Sequence, residues 1–141
     1  MPSLDFTNGN KLAAHWLTVW GQYSRACDNI VDDGLFDREH LTQCFALGVQ
    51  TYSHPFYQQH RQALQMAALV TTSLWAKSCE WERCPELWKR QWADTLRHSD
   101  VVLVNAINLI CGGGWEGMSA ATGTFLSAGF IQHLDKYGAV K

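Results

Sequence analysis

Charge is scarce in this chain of 141 residues: charged side chains make up 17% of it, and eleven Lys and Arg against thirteen Asp and Glu leave a formal net charge of −2. So small an imbalance gives little long-range pull on phosphate backbones or anionic lipid. It is equally too small for an acidic mimic of nucleic acid. Proline occurs three times, and no Gly/Ser/Pro-rich linker or repeat divides the sequence. With 47% apolar residues the chain is too hydrophobic for intrinsic disorder, and its length suits a single domain, residues 1–141, with residues 1–10 as a lead-in. The longest near-continuous apolar stretch, Val101 to Ile110, is interrupted by Asn105 and Asn108 and is about half a membrane span. A membrane-associated role for Val101 to Ile131 is therefore the least favoured of three functional classes.

The five cysteines are odd in number and dispersed, no Asn-x-Ser/Thr acceptor occurs, and the opening MPSLDFTNGN lacks a basic and then apolar leader pattern. A reduced, cytoplasmic protein is expected. Motifs of established chemistry are missing as well: there is no Walker lysine, Gly-x-Ser-x-Gly elbow, H-E-x-x-H or paired C-x2-C. No catalytic residue, metal ligand set or cofactor is assigned. A helix-turn-helix over Leu41 to Leu64 fails because Pro55 would fall inside its recognition helix.

Helical periodicity is the dominant positive signal. Leu12, Trp16, Val19, Trp20, Tyr23, Cys27 and Ile30 recur at spacings of three and four, capped by Asn8 or Asn10 and stopped by Asp32-Asp33-Gly34. A second helix starts at Asp37, with Phe36 and Leu41 as a hydrophobic staple and Leu41, Cys44, Phe45, Gly48 and Tyr52 inward; it closes at His54-Pro55. Pro55 opens a third, expected to run unbroken to Trp81. Pro85 restarts the chain, with Trp88, Trp92, Leu96 and Leu103 inward and Glu86, Arg90, Asp94 and His98 forming a wetted ladder. Only Glu116, Asp135, Lys136 and Lys141 carry charge after residue 100, so residues 101–137 are expected to be the dry centre. There Val101 to Ile110 reads as helix despite its β-branched residues. From Trp115 to Tyr137 one or two further helices are expected, with Leu126, Phe130, His133, Leu134 and Tyr137 on the packed side and Gly138 as the stop. The expected fold is all-α, a compact bundle of five or six helices.

Two local features draw functional interest. Gly112, Gly113 and Gly114, with Trp115 and Glu116 directly after them, form either a structural corner or a ligand or partner site, since consecutive glycines mark special backbone geometry. His54, Tyr57, His60 and Arg61 crowd a helix start that could take a small anion, or could pack as an aromatic corner. Seven tryptophans add material for core or for interface anchors. The expected function is a non-enzymatic interaction factor of inhibitor, immunity or adaptor type. It would present an aromatic and glycine-shaped surface to a protein partner or to a second copy, with no nucleic-acid or membrane partner. The alternative is a small enzyme or ligand-binding domain in which Glu116 and a histidine act as an acid–base pair beside the glycine turn.

Overall fold

The structure, a computed structural model, describes residues 6–137, with side-chain surroundings for residues 6–127. The protein is all-α: seven helical segments occur among the described residues, and no strand. They group into two compact units, Gly9–Arg61 and a second that starts at Gln62 and includes Phe6 to Asn8.

The first unit holds α1 (Lys11–Asp33), α2 (Arg38–Ser53) and the single turn α3 (Pro55–Gln59). Asn10 caps α1 by accepting from the Ala13 amide, and Gly34 ends it in the left-handed region at φ 65°. Asp37 caps α2 by accepting from the His40 amide. Pro55 stops α2 at His54 and takes the first position of α3, and it has no N–H to offer the carbonyl four residues earlier, at Thr51. That orphaned carbonyl accepts from the indole Nε1 of Trp16 at 2.8 Å, and the next one, at Tyr52, accepts from Gln58 Nε2 at 2.6 Å. The proline thus obliges α1 to deliver a buried donor, and Trp16 is wholly enclosed. Around it lie the rings of Trp20, Phe56 and Tyr57, at centroid distances of 5.9 to 6.1 Å.

The second unit holds α4 (Arg61–Glu82), α5 (Leu87–Leu96), α6 (Asp100–Ile110) and α7 (Gly114–Tyr137). The long helix expected from Pro55 to Trp81 is therefore two, broken at His60, whose amide turns back to the Phe56 and Tyr57 carbonyls. Within the unit, α7 packs on α5 and α6. The Asn105 amide donates to Thr122 Oγ1 at 3.1 Å between α6 and α7. Thr71 and Ser99 exchange hydroxyl-to-carbonyl bonds of 3.3 and 3.1 Å, which fix α4 to the turn between α5 and α6.

Burial departs from the sequence-based expectation in three places. Leu103, Val104, Ile107 and Asn108 are buried on α6, but of the described α7 side chains only Ala121 is, and Leu126 is half exposed. Among residues 101–127 the dry stretch is therefore α6, not the whole of it. Leu12 and Phe45, expected inward, face out, while Thr51 is fully enclosed in their stead. On α5 the two faces are exchanged: Asp94 is 0% exposed and Trp88 and Trp92 are 53% and 56% exposed. The side chains of Phe130, His133, Leu134 and Tyr137, and residue Gly138, lie outside the described set. No helix among the described residues is long and apolar enough to cross a membrane.

Candidate interaction surface

The exchanged faces of α5 arise from charge. Arg97 places one guanidinium nitrogen 2.9 Å from Glu82 Oε1 at the end of α4 and the other 3.7 Å from Asp94 Oδ1. A buried carboxylate requires such a counterion, because desolvation of an isolated charge costs several kcal/mol. Ala93, Asp94 and Arg97 are thereby committed to the interior side, and one member of the ladder expected to be wetted, Asp94, belongs to an internal ion-pair cluster. The tryptophans take the opposite side by helix geometry alone. Trp88 rests on Trp81, ring centroids 5.5 Å apart and edge-on, with Lys89 Nζ 5.5 Å from the Trp88 ring centroid, and about half of it stays exposed.

Trp115, 79% exposed, stands with the exposed Glu116 in the first turn of α7. The three glycines before it have separate duties. Gly112 lies in the left-handed region at φ 81° and closes α6 in a Schellman turn, its amide reaching Leu109 O at 3.3 Å and that of Gly113 reaching Asn108 O at 2.9 Å. Gly114, at φ 64°, turns the chain into α7. Gly113 and Gly117 clear space: a Cβ at either would overlap the Asn108 side-chain oxygen, and Asn108 is only 3% exposed. The glycine run is thus a built corner that seats one buried amide and starts α7 with Trp115 pointing outward. Asn8 braces it from outside by donating to Cys111 O at 2.9 Å.

Glu116 is exposed in the first turn of α7, and the described residues do not enclose it in the closed cleft that acid–base work with a histidine needs. His54, Tyr57 and His60 belong to the other unit, where they make an aromatic corner. His54 Nδ1 accepts from the Phe56 amide and caps α3, using the helix-start amide that a small anion would need. Tyr57 is buried, stacked on Trp16 and edge-on to Tyr52, and His60 packs on Phe56 with centroids 5.0 Å apart. Arg61 is exposed. Sequence reasoning missed the partner of His54. Its Nε2 is 2.8 Å from His15 Nδ1 and, with Nδ1 already accepting, must be the donor. Burial, then the nearby His15, holds His54 below the ordinary imidazole value of 6.5. Among the described residues no group of three or more His, Cys, Asp or Glu could hold a metal ion.

Comparison of the chain with protein-family models, with curated proteins and with solved structures finds no match.

Both corners can be probed by substitution. Gly117→Ala should destabilise the second unit by about 2 to 3 kcal/mol, through overlap with Asn108. In an Asn108→Ala background the same change should cost under about 1 kcal/mol, a coupling that denaturant titration of the four proteins measures. For His54, a folded-state pKa below the unfolded one means that stability is complete above about pH 6.5 and declines as pH falls from there through the folded value. The thermal midpoint of the first unit should accordingly drop between pH 7 and pH 5, and His54→Asn, which keeps a capping side chain, should flatten that decline.

Proposed function

We propose that the protein is a non-enzymatic interaction factor that engages a protein partner through exposed tryptophans of its second unit. The observation that carries this reading is α5, which buries an aspartate and turns Trp88 and Trp92 to solvent. Core packing offers no return for that arrangement: two indoles one helical turn apart stay half in water while a carboxylate is dehydrated. A partner that covers them recovers the apolar burial, and tryptophan is the residue most enriched among the few that dominate binding energy. Trp115 is a third such anchor in the same unit, raised by the glycine corner. On α4, Met66 and Leu69 are exposed at a spacing of three, so a second helix of that unit also shows an apolar stripe. The partner is a protein with an apolar docking face, and a second copy of this chain satisfies that description.

The test is a pair of variants, Trp88→Ala with Trp92→Ala, and Trp115→Ala, each checked for native helicity by circular dichroism. Affinity for the partner, or for self-association by light scattering, should fall about 30-fold or more for the double variant, the loss expected when an anchor of roughly 2 kcal/mol is removed. Unchanged association of both variants would exclude this surface.

A further inference from the structure

In the first unit, α1 and α2 bring two thiols together: Cys27 Sγ and Cys44 Sγ are 3.5 Å apart, and both cysteines are free and partly buried. We propose that Cys27 and Cys44 form a thiol–disulfide exchange site, which takes a low-molecular-weight disulfide such as oxidised glutathione as its oxidant and closes to a bond joining α1 to α2. This is independent of the tryptophan surface of the other unit.

The geometry asks for little. A sulfur–sulfur bond is about 2.05 Å long, so the sulfurs must approach by roughly 1.5 Å, within reach of small side-chain rotations. Cys84, by contrast, turns its thiol to the Glu80 carbonyl of the preceding helix. The two sulfurs of the pair are also unequal in access. Cys44 lines a groove of about 440 Å³ together with Tyr23, Leu41, Phe45, Val49 and Tyr52, and can be reached from solvent along it. Cys27 does not line that groove; it is hydrogen-bonded to Tyr23, and burial, then its bond to Cys44, pushes its thiol up to about 11. Cys44 is therefore the attacking sulfur and Cys27 the resolving one.

In the first step the Cys44 thiolate, its proton released to solvent, attacks one sulfur of the small disulfide. The Cys44–glutathione bond forms, the original S–S bond breaks, and one glutathione thiolate leaves. Cys27 then attacks Cys44 Sγ, its proton passing to the second departing thiolate. The protein loses two electrons and two protons, and one oxidised glutathione becomes two reduced ones. Between the bonded residues lies the α1–α2 connection, so the product closes a short loop and restricts the unfolded chain.

The native full-length chain is incubated with oxidised glutathione at pH 8, quenched in acid, alkylated and mapped by peptide mass, with circular dichroism recording that it stays folded. The expected product is a Cys27–Cys44 peptide pair, with a thermal midpoint raised by about 5 °C. Cys27→Ser should stop at a single glutathione on Cys44, and Cys44→Ser should leave Cys27 unmodified. Mapping of the unaltered chain decides the matter even where a variant fails to fold. Alkylation of both Cys27 and Cys44 as free thiols after oxidation, pairing of either with another cysteine, or formation of the bond only in denaturant would overturn the proposal.

Discussion

A single dehydrated carboxylate sets the character of the second unit. Asp94 has no exposed surface, and Arg97, three residues on, reaches both it and Glu82 on the preceding helix. Such a charge is tolerable only while its cation is present; removing the cation costs roughly 3 to 5 kcal/mol. At about 100° per residue, Trp92 is about 200° around the helix from Asp94, and Trp88 shares its side. Fixing the aspartate inward therefore fixes both indoles outward. The partner-binding reading depends on that rotation and on nothing else so strongly.

The first unit is organised around a different local deficit. Pro55 leaves Thr51 without its usual amide donor, and the indole of Trp16 supplies the replacement. Meeting that requirement brings α1 against α2, stacks Tyr57 on Trp16 and puts His54 where it caps α3 and meets His15. The same pairing of helices sets Cys27 opposite Cys44 further along the two helices. One missing N–H thus has consequences from the buried aromatic cluster to the thiol pair.

Helix boundaries are largely legible in the sequence because they are written in single residues: Asn10, Asp37, the His54-Pro55 step, Gly34 and the glycines after Ile110 each act through local backbone chemistry. The facing of helices is less so. On α5 a periodic tryptophan stripe and an alternating charge ladder suggest the reverse of what is found, because periodicity defines two faces and only tertiary partners choose between them. Arg97 lies outside that ladder, one residue before His98, and its pairing with Glu82, on the far side of α5 in the sequence, leaves no periodic trace. Phe45 and Thr51 on α2 show the same failure, although Pro55 does signal an orphaned carbonyl at Thr51. The break at His60 carries no proline or glycine to announce it. At the glycine corner, the run itself is visible as special geometry; the group it accommodates, the buried amide of Asn108, depends on contacts made across the α6 to α7 turn.

The orientation of α5 is tested most directly by hydroxyl-radical footprinting of the dilute, partner-free chain, with oxidation of each tryptophan quantified by mass spectrometry. Trp88, Trp92 and Trp115 should be labelled rapidly, and Trp16 and Trp20 should resist until the protein unfolds. Protection of Trp88 and Trp92 to the level of Trp16 would show that α5 faces the other way, and would contradict the account.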